Sequence, residues 1–80
     1  MLTYALHVTD RYDGMVMATC PDVPEVVAVG RDDQEACEGA LRALEAALEG
    51  YELEGREIPE PRTVSRVSVS TSRFGILAPA

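Results

Sequence analysis

Polar and apolar residues alternate from the start of the chain. Leu2, Tyr4, Leu6 and Val8 fall between Thr3, Ala5, His7 and Thr9. A period of two predicts a half-buried strand. Asp10-Arg11-Tyr12-Asp13-Gly14 follows, and its Asp-Gly pair predicts a hairpin connection. A second strand over 15–20 places Val16, Ala18 and Cys20 on one face and Met15, Met17 and Thr19 on the other. Pro21-Asp22-Val23-Pro24 must be irregular, because each proline lacks an N–H and restricts the residue before it. A short third strand over 25–29 is apolar on both faces through Val26, Val27, Ala28 and Val29.

The period then changes. Ala36, Cys37, Ala40, Leu41, Leu44, Ala47, Leu48 and Tyr51 recur at spacings of three and four, which predicts one long amphipathic helix within 32–53. Asp32 followed by Glu35 is a capping-box start, and acids in the first turn suit the positive end of the helix dipole. Gly50 predicts the stop. Gly39 inside the helix costs about 1 kcal/mol relative to alanine. Beyond it, Glu54-Gly55-Arg56-Glu57-Ile58-Pro59-Glu60-Pro61 predicts an extended loop, whose prolines exclude a second helix. A fourth strand over 64–70 sets Val67 and Val69 on one face with Ser65 and Thr71, and Arg66, Ser68 and Ser70 on the other. Val64 breaks that phase, so the strand starts at Ser65 or carries a bulge. Residues 74–80 form a short apolar tail that folds back on the core or docks on another chain.

These elements make a single small α+β domain over 1–73, in the order β-β-β-α-β, followed by the tail. The short connections predict an antiparallel meander of the first three strands. The long return through the helix allows a right-handed crossover that sets the fourth strand parallel to the first. The expected sheet is four-stranded, order 3-2-1-4, with the helix on one face. The opposite face then keeps Ala5, Met15, Met17 and either Val26 or Ala28 uncovered, a patch of the kind that meets another protein. Ala5, Met15 and Met17 are the candidate contacts of a homo-oligomer.

Composition narrows the function. The chain has 80 residues, little length for a core, which favours oligomerisation or a partner. No apolar run reaches membrane-spanning length, and no basic, signal-like block opens the chain, so a soluble cytoplasmic protein is expected. The net charge of −7 argues against binding a phosphate backbone directly. All seven cations are arginine. Ten of the fourteen acids lie between positions 32 and 60, and none follows Glu60. They either solvate the outer helix face or present a negative surface to a basic partner.

Candidate chemistry is sparse. The first strand has no acid over 2–9, so Asp10, Asp13 and Asp22 do not form a metal-holding carboxylate cluster. His7 is the one histidine, with no nucleophile at a catalytic spacing. Cys20 and Cys37 are expected as packing thiols, without a disulfide. No catalytic residue, metal site or cofactor is predicted.

One set of motifs, in this order, resembles the HicB-like antitoxin family. It comprises the Tyr4 strand, the Asp13-Gly14 turn, Cys20-Pro21-Asp22-Val23-Pro24 and Gly30. The capped helix with Glu35-Ala36 comes next, then Gly55-Arg56-Glu57-Ile58-Pro59-Glu60-Pro61. The match covers about 2–69. Glu25 and Val26 stand where the family commonly has glycine and often cysteine, and nothing after Pro61 matches the DNA-binding segment that many members carry. The resemblance implies a degenerate ribonuclease H-like fold and an antitoxin that binds and inhibits a small basic ribonuclease toxin of the HicA type. DNA binding is expected to be lost or left to another protein. Glu38, Glu45, Glu49 and Glu52 on the outer helix are the candidate toxin contacts. The alternative is an orphan HicB-like homo-oligomer, a structural or adaptor module with no toxin.

Overall fold

A computed structural model describes residues 2–11, 13–65 and 67–71. Its elements are β1 (Thr3–Asp10), β2 (Val16–Thr19), β3 (Val27–Gly30), α1 (Asp33–Leu53) and β4 (Val67–Ser70). The strands form one sheet in the order β3-β2-β1-β4, and every neighbouring pair is antiparallel. The apolar tail over 74–80 lies outside the described residues.

Alternation along β1 and β2 sends Tyr4, Leu6, Val16, Ala18 and Cys20 into a core shared with Ala36, Ala40, Leu44 and Leu48 of α1. Full burial of a side chain the size of leucine is worth about 1.5–3 kcal/mol, so this layer supplies most of the stability. The helix crosses β3 and β2 most closely and touches β1 and β4 least. Val23 and Val26, on either side of Pro24-Glu25, are also buried, so the irregular loop closes one end of the core.

Both helix ends use side chains or backbone in defined roles. The Asp32 carboxylate accepts from Glu35 N at 2.8 Å. The return arm of this cap reaches one residue further back, with Glu35 Oε1 accepting from Arg31 N at 3.0 Å. Gly50 does not stop the helix. The chain continues to Leu53, because the stop lies at Gly55, whose φ of 69° is the left-handed position that glycine supplies freely. Gly55 N then donates to Glu52 O at 3.1 Å and Arg56 N to Tyr51 O at 2.8 Å, the paired bonds of a Schellman ending.

The fourth strand runs opposite to the expected direction. Thr3 faces Ser70 and Leu6 faces Val67, so β4 is antiparallel to β1. A crossover that entered the sheet where α1 ends would have made it parallel. Extended chain covers roughly 3.3 Å per residue, so the proline-stiffened stretch after α1 can turn past β1 and enter β4 from the other end. Val64, 93% exposed, lies outside the strand. Val67 and Val69 do pack against the core, and Thr71 is buried.

The third strand also differs from expectation. It starts at Val27, because Val26 N closes a turn onto Val23 O at 3.0 Å. Val26 and Ala28 both lie on the helix side: Val26 is in the core, and an added Cβ on Gly39 would stand 3.2 Å from the Ala28 Cβ. The uncovered residues are instead Val27 and Val29, 55% and 41% exposed. Alternation could not choose between the two sets, since both are apolar. Pairing decides it, by setting Val29 beside Met17 and Val27 beside Thr19.

Candidate partner-binding surface

Two surfaces compete as the place where another molecule docks: the outer side of α1 and the open face of the sheet. On α1, Glu38 and Glu52 are exposed, while Glu45 and Glu49 are half-buried and each already engaged in an interaction. The periodicity that buries Ala36, Ala40, Leu44, Leu48 and Tyr51 puts all four glutamates on the solvent side in one stripe. The last turn holds no basic residue, so Glu52 adds its charge to the negative pole of the helix.

The proline-flanked loop after β2 is firmly tied down. Asp22 Oδ2 accepts from Arg62 N at 3.0 Å and Thr63 N at 2.9 Å, and its Oδ1 accepts from Thr63 Oγ1 at 2.9 Å. The Thr63 N–H, followed by the Arg62 N–H and the Thr63 hydroxyl, holds this carboxyl below its ordinary range. Tyr4 donates its hydroxyl to Pro59 O at 2.5 Å, and burial pushes that phenol up to about 12. The proline-flanked Asp22 loop and the Ile58-Pro59-Glu60-Pro61 exit therefore meet in space. Between them lies a shallow open cleft of about 430 Å³ lined by Pro21, Asp22, Glu57, Ile58, Pro59, Glu60 and Arg62.

A second clip joins the same loop to the helix. The Tyr51 hydroxyl donates toward the Glu25 carboxylate, which lowers Glu25 and raises Tyr51. The Arg56 guanidinium sits 4.2 Å from the centre of the Tyr51 ring. The sequence reading missed the partnerships of Asp22, Glu25 and Tyr51. Their one signal in the sequence was that the proline-flanked Asp22 segment and the 55–61 exit both belong to the motif set of the resemblance.

The open face is uneven. Near β3 it is apolar, with Val27, Val29 and the half-buried Met15 and Met17. Toward β4 it is polar, with His7, Thr9, Thr19 and Ser68, and Thr3 Oγ1 lies 2.9 Å from Ser70 Oγ. Ala5 does not belong to the exposed patch. It is 4% exposed and is paired with Ser68 of β4.

Among the described residues no three His, Cys, Asp or Glu side chains gather in a metal-holding group, and no helix is long and apolar enough to cross a membrane. Burial raises both thiols: Cys20 is fully enclosed, and Cys37 packs against the edge of the core. Asp10 and Asp13 sit near the hairpin, where Asp13 pairs with Arg11 at 3.1 Å, while Asp22 is committed to Arg62 and Thr63.

Comparison with known proteins then decides the family. Antitoxin HicB of Pseudomonas fluorescens (strain Pf0-1) is 41% identical over 59 residues, which cover 74% of this chain and 40% of that protein. The chain carries a HicB-like N-terminal domain. It spans less than half the length of that HicB relative. The crystal structure of the N-terminal domain of Burkholderia pseudomallei antitoxin HicB superposes with a TM-score of 0.70, covering 79% of this chain and 74% of that one. At 17% identity, that second likeness speaks for the HicB fold alone. No protein-family model matches the chain.

Proposed function

We propose that this HicB-like domain acts as an antitoxin that binds and neutralises a small basic toxin of the HicA type, an mRNA-cleaving ribonuclease. The likeness to a HicB antitoxin supports a non-enzymatic regulatory role. The observation that carries the toxin reading is the concentration of acid on one side of α1, with Glu38 and Glu52 exposed beside Glu45 and Glu49. A protein that grips RNA phosphates must present cations, and this stripe opposes them. Electrostatic attraction of this kind speeds encounter and selects the partner, while apolar contacts govern the lifetime of the complex.

Co-expression with a HicA-type toxin tests the proposal. The expected result is co-purification and restored growth, with a complex that weakens as salt is raised. Replacing Glu38 and Glu52 by lysine is expected to slow association at least tenfold while leaving the fold intact. Failure to co-purify with any HicA-type toxin, or association indifferent to both salt and the double substitution, counts against it.

A further inference from the structure

The ladder between β1 and β4 stops one step short. Thr71 N bonds to Leu2 O at 2.9 Å, and bonded and non-bonded pairs alternate along an antiparallel ladder. Tyr4 and Leu6 therefore turn their backbone groups to Val69 and Val67 of β4. On the other side Arg11 N bonds to Met15 O at 2.8 Å, so His7 and Thr9 turn theirs to Thr19 and Met17 of β2. Val8 then points its N–H and C=O to the β4 side, where the same register places Ser65 opposite it. Among the described residues no backbone bond joins the two. Ser65 instead donates its hydroxyl to Leu6 O at 2.8 Å. A groove of about 300 Å³ lies along this margin, lined by Leu6, His7, Val8, Thr9, Ser65 and Val67. Val64, which the register would set beside Thr9, is 93% exposed.

Asp22 accounts for the gap. Its carboxylate takes the N–H groups of Arg62 and Thr63 and the Thr63 hydroxyl. Asp22 follows β2, which lies on the far side of β1 from β4. The bonds draw the chain before Ser65 away from the line of β4, so the ladder does not lengthen while they hold. We propose that residues 62–65 form a strap with two seats: the Asp22 carboxylate, which holds it open, and the Val8 margin, onto which it closes when Asp22 lets go. In the closed form Ser65 and Val8 exchange two backbone hydrogen bonds, and Val64 packs beside Thr9. Closing gives up three bonds to a charged acceptor and gains two neutral ones and cover for a valine. The second seat is within reach. The exit loop is pinned where Tyr4 donates to Pro59 O, and the stretch from Pro59 to Ser65 extends to roughly 20 Å, against roughly 13 Å along β1 from Tyr4 to Val8. The Asp22 loop thereby sets whether β1 keeps a free margin or guards it with its own chain. The strap is a different surface from the glutamate stripe and stands without the toxin reading.

Amide hydrogen exchange, read by NMR on the 80-residue chain, tests the inference. In the wild type the Val8 amide is expected to exchange at least tenfold faster than those of Leu6 and Thr9 in the same strand. Asp22→Ala is expected to slow Val8 at least tenfold. It should also bring a nuclear Overhauser contact between the Hα atoms of Thr9 and Val64, the mark of a non-bonded antiparallel pair. Slowing runs against mere destabilisation, which speeds exchange. Adding Ser65→Pro removes the N–H that the closed pair needs, and fast exchange at Val8 should return. Thr63→Val takes away one of the three bonds and is expected to move Val8 the same way by a smaller factor. It carries the test if far-UV circular dichroism shows Asp22→Ala unfolded. A Val8 amide as slow as that of Leu6 in the wild type overturns the proposal. So does one that stays fast in Asp22→Ala and Thr63→Val, or slow exchange that survives Ser65→Pro.

Discussion

Two residues outside the acidic stripe hold the domain in shape, and each makes a sharp prediction. Gly30 ends β3 where the first turn of α1 lies against it. An added Cβ would stand 2.5 Å from Ala36 N and 2.8 Å from Glu35 C, both backbone atoms that cannot rotate away. Gly30→Ala is expected to destabilise by about 1–3 kcal/mol, read as a lower urea midpoint. Asp22 ties the exit loop to the strand layer through three accepted hydrogen bonds. Asp22→Ala is expected to cost roughly 1–3 kcal/mol, since bonds to a charged acceptor are the stronger class. The pH dependence has a definite sign. Asp22 is held below its ordinary value of 3.8 and Glu25 below 4.5, so the unfolded chain binds their protons at higher pH than the folded one. Their stabilisation is complete above those ordinary values and is lost as pH falls through the folded ones. Thermal melts from pH 7 down to pH 2 should show that loss, and Asp22→Asn should flatten it.

At the scale of elements, the charges on α1 suit the helix dipole at its start and oppose it at its end. Its start is capped by Asp32, whereas its last turn carries acid against the negative pole. Glu52→Arg is therefore expected to raise stability by about 0.3–1 kcal/mol while weakening toxin binding, an opposite movement that thermal melts and binding measurements separate. Gly55→Ala is expected to cost about 1–2 kcal/mol, because alanine resists the left-handed position. The helix, its Asp32 cap and the strand order 3-2-1-4 were legible from periodicity and connection lengths. Three features were not. The true helix stop depended on which glycine takes positive φ, and Gly50 and Gly55 look alike in sequence. The face of β3 depended on pairing, because four successive apolar residues carry no alternation. The direction of β4 depended on the path of an extended loop whose anchors, Asp22 and Tyr4, lie far away in sequence.

For the molecule as a whole, charge and pattern favour the proposed role as a binding partner. The net charge of −7 and the uncovered, half-apolar sheet face were both visible before any fold was known. The glutamate stripe was legible as a surface because helical spacing fixes it. The exposed valines of β3 were not, and they move the centre of the apolar patch away from Ala5 toward the sheet edge. Raising salt should weaken a proposed toxin complex formed through the acids, as sedimentation at low and high salt would report.

The seam between β1 and β4 joins Thr3 to Ser70 and Leu2 to Thr71, nearly opposite ends of the described chain. During synthesis the first strand must therefore wait, with one margin unmatched, until β4 has emerged. A growing chain in that condition exposes an unpaired strand margin on which a chaperone or another chain can settle.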